Sequence, residues 1–594
     1  MLWTYVPLWP AYLVFAIPFL YFASEPFITA VNQILALPLL AILVSGSAAT
    51  EDDKFSIWFF RFCVGWLVVV GISSITSEDP TSSIPVFLKV IGMMAIVATV
   101  RYLPDSAKTA TCLFWAAALA GLLHGWISIR EFWDAPPMPA TWVDPAMKGL
   151  IRTRCAGIFS DPNIFGAYLA GIIPLIIAGI FSVPSTPRSA VVFGGGLIGA
   201  GVGLLMTFSR GAYLAGFAGA AALLVLKRPG WKETMRNRVL LISGGVVLAI
   251  FLLGPFKYRL TSVANPADMT VSQRSYINQA IIKAIPQIPL FGFGLHTFNQ
   301  VYPRFRLVGG DYPMNAHNEI LHSFLETGAI GVFFLLGICV LIFLRIFRFF
   351  RDPGGEVSWI TSAGCASFLV FFLHNLSGFS DRIYPTAVLI AIMAGLVFHR
   401  RTEPESPGTV VTPGLFLKIF GCVFFAIYLV LNFKNLHIQL SLEKNSHYLR
   451  EGNISFAEAS LRNIESVDEN IPLVHMRFAQ IDEAAGRLAS AQARLSRAAE
   501  LNPTEAWYWY EQSRIATKAG LPGKFEFMEK AVGLDPAAEF FRYEYAKLLA
   551  SDGRSFDAVT QLDEALKRSP GYHDVYAKYK DVESLKMRLL GGEK

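Results

Sequence analysis

Charge is what this chain has least of. Asp, Glu, Lys and Arg make up 16% of its 594 residues against 53% hydrophobic, and mean hydropathy is +0.45. That balance excludes a soluble protein of this size and implies a polytopic membrane protein. Paired cysteines are also missing. Of six, Cys63, Cys112, Cys339, Cys365 and Cys422 lie inside apolar runs and Cys155 stands alone in a polar loop, which excludes a disulfide framework and a cysteine zinc site. The first residues, MLWTYVPLWPAYLVFAIPFLYFA, lack the basic start of a signal peptide and read as a first membrane helix. Internally repeated spans and mid-membrane charges, the usual marks of a transporter, are absent as well.

What is present is a long series of apolar runs. A crossing takes about 20 apolar residues, with a range of about 17–25. On that measure thirteen spans are expected, near 5–23, 27–45, 56–76, 84–103, 109–128, 164–182, 191–208, 212–226, 239–254, 328–346, 358–377, 384–398 and 415–433. Basic residues then set the orientation. Lys227, Arg228, Lys232, Arg236 and Arg238 share one short loop, Arg345, Arg348 and Arg351 a second, and Arg400 and Arg401 a third; an internal N-terminus puts all three on the cytoplasmic side. Segments 129–163, 209–211, 255–327 and 378–383 then face outward. The large 255–327 loop runs against the positive-inside bias, with Lys257, Arg259, Arg274, Lys283, Arg304 and Arg306 against Asp268, Asp311 and Glu319. Either a long loop escapes the rule, or its cations face an anionic ligand.

Residues 437–594 are charged and repetitive. Pro472, Pro503, Pro536 and Pro570 recur every 31, 33 and 34 residues, and Gly452, Gly486, Gly520 and Gly553 every 34, 34 and 33. A helix–turn–helix period near 34 residues resembles the tetratricopeptide repeat, whose units stack into an α-solenoid that binds peptides or partner proteins. The expected architecture is therefore all-α: a transmembrane domain over 1–435 and a repeat domain over 437–594, with the repeats on the same side as the large loop.

Three polar places interrupt the membrane domain. In Arg154-Cys155-Ala156-Gly157-Ile158-Phe159-Ser160-Asp161-Pro162-Asn163, Asp161 or Asn163 can cap the helix that follows, with Pro162 at its start. The same helix start points N–H groups outward, where an anion can bind. In Ser209-Arg210-Gly211 an arginine sits against hydrocarbon, either snorkelling or functional. In the large loop, Val271–Ala284 reads as an amphipathic surface helix with a stripe of Tyr276, Ile277, Ala280, Ile281 and Ala284, and Arg274 and Asn278 on another face. Next comes His317-Asn318-Glu319, with His322 and Glu326 beyond. His317 and His322 are five apart and diverge on a helix, so a metal site is not expected; Glu319, His322 and Glu326 share a face that reads as solvated.

Together, Gly157–Tyr168, Ser209-Arg210-Gly211 and His317-Asn318-Glu319 before Glu326, Gly328 and Gly331 resemble the O-antigen ligase, Wzy polymerase and O-oligosaccharyltransferase superfamily over residues 5–435. The resemblance implies a GT-C-like membrane glycosyltransferase moving glycan from undecaprenyl diphosphate to an acceptor hydroxyl on the outer face of a bacterial inner membrane. It implies His317 as general base and Arg210 and Arg274 as diphosphate ligands, with Arg304 and Arg306 competing for the latter role. Arg154, Asn163 and Glu319 are secondary candidates for orienting donor and base. Transfer is expected to be inverting, with no metal or cofactor. The acceptor is a lipid or a glycan, or protein in the oligosaccharyltransferases; membrane lipid and a protein on the repeats are further partners, and nucleic acid is not. A scaffold or transporter presenting the repeats is the alternative.

Overall fold

The computed structural model of the chain describes residues 9–21, 47–48, 54–101, 106–139, 142, 151–229, 237–256, 269–308, 310, 312–351, 358–398, 410–411, 415–568 and 578–590. Apart from one two-residue antiparallel pairing, Ser47–Ala48 with Val410–Val411, the regular structure among these residues is helical. Twelve of the thirteen expected spans fall on helices, and 27–45 lies outside the described residues. Among the described residues eight helices are long and apolar enough to cross a membrane, and four more apolar helices are shorter.

The helices pack through small residues, as they must where lipid offers no hydrophobic drive between spans. Ser106–Asp134 and Pro187–Met206 meet backbone to backbone. A Cβ on Gly121 would lie 2.4 Å from the Gly196 carbonyl oxygen, and one on Gly125 would lie 2.3 Å from Gly199 Cα. Pro162–Ser182 is the most enclosed span. Its N-terminus is built as its sequence implies: Pro162 opens the first turn and the Asp161 carboxylate accepts from the N–H groups of Asn163 at 2.7 Å and Ile164 at 3.1 Å.

The large loop is a small packed body. Met269–Ala284 buries Ile277, Ala280 and Ile281 against Phe293, Phe298, Val301, Tyr302 and Leu325, so its stripe covers the loop's own core instead of lying flat on lipid. Tyr276, placed on that stripe by spacing alone, is 39% exposed, at its edge. The chain then enters Glu319–Arg351, which breaks at Gly328 with φ 67° and ψ −171°. The break receives the loop: Phe293 and Gly294 donate to the carbonyls of Leu325 and Glu326, both at 3.0 Å. Glu319–Thr327 is thus a separate turn of helix ahead of the membrane-crossing part.

The last apolar helix, Leu415–Arg450, runs through residue 437 without interruption and delivers the chain directly to the repeats. From Ile454 to Arg568 the helices come in antiparallel neighbours that bury small and aromatic side chains between them. Gly452, Gly486, Gly520 and Gly553 adopt φ of 66° to 80°, left-handed turns that explain their spacing. The repeats dock on the large loop. Arg306 reaches Asp535 at 3.3 Å, the Tyr312 hydroxyl donates to Asp535 at 2.6 Å, and Asn502 donates to Gln300 at 3.2 Å. The repeat domain and the His317 loop therefore lie on the same side of the helical bundle.

Candidate active site

The site begins where Pro187–Met206 ends. Thr207-Phe208-Ser209 reverses the chain, with Phe208 left-handed at φ 51°, and Arg210 opens Arg210–Lys227 half-buried at its first position. Arg154 closes this corner from the other side. Its Nε donates to the Thr207 carbonyl and its Nη2 to Asn163 Oδ1, each at 3.0 Å, and the residue is 7% exposed. Arg154 and Asn163 thus hold the turn that carries Arg210. Beneath them, Glu131 accepts from the N–H groups of Ala156 at 3.0 Å and Gly157 at 2.8 Å, occupying the donors this loop would otherwise offer an anion.

Gly211 faces the end of Trp359–Asn375. A Cβ there would lie 3.7 Å from His374 Cδ2 and 3.4 Å from Ser377 Oγ. His374 is 3% exposed, and its Nδ1 has no hydrogen-bond partner among the described residues. His374 sits in the field of Arg274, and so does His317. Gly211, next to Arg210, thus abuts His374, and the charge of Arg274 acts on both His374 and His317.

His317 occupies a left-handed turn, φ 53°, with its ring edge-on to Phe379 at 5.0 Å between centroids. Burial, then the charge of Arg274, hold its imidazole down at about 3, so it is neutral near pH 7. A strained non-glycine backbone of this kind persists only where its surroundings impose it. His322 braces the residue before His317. Its Nδ1 accepts from the N–H of Ala316 at 3.3 Å, its ring stacks on Phe298 at 4.6 Å, and its Nε2 meets Glu326 Oε1 at 3.0 Å. Because Nδ1 accepts, the proton is on Nε2, facing the carboxylate.

Arg382 completes this support. Its Nη1 donates to Glu326 Oε2 at 2.6 Å, its Nε to Glu319 Oε2 at 3.0 Å, and its Nη2 to Glu319 Oε1. Glu319 also accepts from Ser323 Oγ at 2.6 Å. The face that reads as solvated in sequence is an ion cluster instead: Glu326 is 1% exposed and His322 2%. Glu319 turns its carboxylate to Arg382 and Ser323.

Two loop arginines counted as candidate ligands are held by protein groups. Arg304 makes a two-pronged pair with Glu78, one arm at 3.0 Å. Arg306 is 8% exposed and held by the Gly310 carbonyl at 2.8 Å, Tyr312 and Asp535. Lys257, Arg259 and Asp268 lie outside the described residues. His374, Arg382 and the supporting role of His322 escaped the sequence reading. His374 sits in an apolar run and Arg382 in a six-residue loop; the only available signal was the i,i+4 spacing of His322 and Glu326.

Beside this cluster opens a cavity of about 1500 Å³, lined mainly by apolar side chains of several spans, with polar groups that include Lys89, His296, Glu319, Glu326, Arg382 and Asp468.

Residues 195–336, 142 of the chain's 594, match the family model described as O-antigen ligase. That interval includes Arg210, Arg274 and His317; Arg154, His374 and Arg382 lie outside it. No curated protein matches the chain. Among solved structures, a MamA protein aligns at 13% identity and TM-score 0.23, over 26% of this chain and 87% of its own. The APC/C hetero-tetramer Cut9–Hcn1 aligns at 11% identity and TM-score 0.24, over 94% of this chain and 100% of its own. Both scores are low, so the repeat architecture rests on the helices described above.

Proposed function

We propose that this chain is a membrane glycosyltransferase that transfers or polymerises glycan from an undecaprenyl-diphosphate donor onto an acceptor hydroxyl at the outer face of a bacterial inner membrane. The observation that carries the reading is His317 itself, a buried imidazole held in a left-handed turn edge-on to Phe379, on which the charge of Arg274 acts. The matched O-antigen ligase family supports a glycan ligase or polymerase in the same residues.

In this reading the acceptor oxygen attacks the anomeric carbon as its bond to the diphosphate oxygen breaks, inverting the configuration. The electron pair leaves on the lipid diphosphate, and the acceptor proton passes to His317. Arginine suits the leaving group because its planar fork binds phosphate oxygens bidentately and stays ionised. Arg274 takes that role with Arg210, while Arg154 and Asn163 hold the Arg210 turn. A diphosphate on Arg274 also cancels the charge that disfavours protonated His317. The base thus gains proton affinity only when donor is bound.

The test is transfer in vitro from a defined undecaprenyl-diphosphate glycan, using full-length protein. His317→Ala and Arg210→Ala are expected to abolish transfer while inserting at normal levels. Full activity in both would remove the assignment, and it is what a scaffold presenting the repeats would show.

A further inference from the structure

The repeats meet the His317 loop through one position used twice. Leu488–Leu501 ends at Asn502 and Lys524–Leu534 ends at Asp535, one repeat period of 33 residues later. A proline follows each, and the two leave their helices on nearly the same backbone, with φ of −138° and −134°. Stacked units therefore bring two short polar side chains to one edge of the solenoid.

Each grips a different part of the loop. The Asp535 carboxylate accepts from Arg306 Nη2 at 3.3 Å and from the Tyr312 hydroxyl at 2.6 Å. The Arg306 guanidinium lies 3.8 Å over the Tyr312 ring and donates to the Gly310 carbonyl at 2.8 Å, which clips together the approach to His317. Asn502 Nδ2 donates to Gln300 Oε1 at 3.2 Å, and Gln300 Nε2 donates onward to Asp79 at 2.9 Å. Gln300 belongs to Phe298–Val301, a short helix entered through a left-handed turn at His296, φ 63°. From that helix Phe298 stacks on His322, which accepts from the N–H of Ala316. One grip acts on the segment leading into His317, and the other on the residue that braces it.

The join is dry: the Arg306 and Asp535 side chains are 5% and 4% exposed. A buried ion pair adds little net stability over apolar contact, and its use is to fix one register. Among the described residues the Asp535 carboxylate takes its hydrogen bonds from the loop alone, so it serves the join and not the fold of its own repeat.

We propose that Asp535 and Asn502 are positioning residues of the transferase, through which the docked repeat domain holds His317 in its working place. The repeats are then part of the catalytic unit, and undocking them stops transfer without removing a substrate contact. The role of His317 rests on the proposed reaction; the hold on its loop does not.

Hydrogen exchange of the full-length protein in detergent reads the hold, because the N–H groups of Ala316, Leu321 and His322 are hydrogen-bonded within the loop. Asp535→Ala is expected to speed exchange across 316–322 about tenfold, with Leu488–Leu501 and Ser555–Arg568 unchanged. Tyr312→Phe cuts the same grip from the loop side, so it should match, which covers any repeat disturbed by Asp535→Ala. Asn502→Asp keeps its acceptor for Thr504 and loses the donor to Gln300, and should act in the same direction. In transfer from an undecaprenyl-diphosphate glycan, Asp535→Ala should lower kcat about tenfold with donor KM within about threefold. Asp535→Asn, which still accepts from Tyr312, should fall between it and the wild type. Unchanged exchange in both Asp535→Ala and Tyr312→Phe, faster exchange with kcat intact, or a loss confined to donor KM would overturn the proposal. Faster exchange in the variants with no transfer even by the wild type would remove the reaction and uphold the hold.

Discussion

Arg382 and Glu326, 56 residues apart, meet at 2.6 Å and tie the turn after Trp359–Asn375 to the helix that begins just past His317. Through Glu326 the tie reaches His322, and through His322 the backbone of Ala316. The position of the base therefore depends on a chain of contacts that starts at Arg382 and ends at the residue before it.

Breaking that tie should cost stability and rate together. Arg382→Ala leaves Glu319 and the fully enclosed Glu326 without their cation, a change worth about 3–5 kcal/mol when a buried pair loses one partner. The expected outcome is a lower unfolding temperature and at least a hundredfold loss of transfer. Arg382→Ala with Glu326→Gln should recover part of the stability. Equal stability of the single and double variants would show that the pair is not the support.

His322 should behave as a positioning residue. Its Nδ1 needs only to accept from Ala316, so His322→Asn, which can present an oxygen there, is expected to retain more activity than His322→Phe. The loss should fall on kcat with the KM for donor within about threefold, since no diphosphate contact changes. A large rise in donor KM with kcat intact would place His322 in the binding site instead.

The pH profile carries the sign of His317's environment. With its imidazole held down at about 3, free enzyme keeps the base neutral from about pH 4 upward, so kcat/KM for donor should show no acid limb from this group in that range. Donor neutralises Arg274, so the limb in kcat should lie higher. Removing the cation with Arg274→Gln should move the acid limb of kcat/KM upward, toward the ordinary histidine value of about 6.5. An unmoved limb would mean that Arg274 does not act on His317.

Most of the bundle was legible because apolar length is a local property: twelve of the thirteen expected spans coincide with helices, and Gly328 lies at the break where the 328–346 span was expected to begin. Arg210 drew notice because an arginine beside hydrocarbon is conspicuous, whereas Arg274 and His317 were singled out through the family resemblance. The remainder depends on long-range pairing. Arg304 and Arg306 looked like ligand cations because nothing nearby in sequence reveals Glu78 or Asp535, 226 and 229 residues away. The amphipathic helix looked like a surface helix because the aromatic cluster it covers forms only when the loop folds on itself. His374 and Arg382 gain significance only from their neighbours in space.

Gly328 makes the last prediction, because two needs meet there. Its φ of 67° is disfavoured for any side chain, and a Cβ would come within 2.1 Å of the Leu290 carbonyl oxygen and 2.5 Å of that of Pro289. Both contacts are to backbone, so no rotamer change relieves them. Gly328→Ala must therefore lift the Pro289–Gly294 segment off the helix break, unseating the His296 turn and the cluster at Glu326 together. A loss of more than about 3 kcal/mol is expected, read as a collapse in detergent-extractable folded protein and in its melting temperature. Gly245→Ala is the control: it lies inside Arg238–Leu253 with nothing within 4 Å of the added methyl, and should be neutral or slightly stabilising. If the two variants melt alike, the break at Gly328 is not what seats the loop.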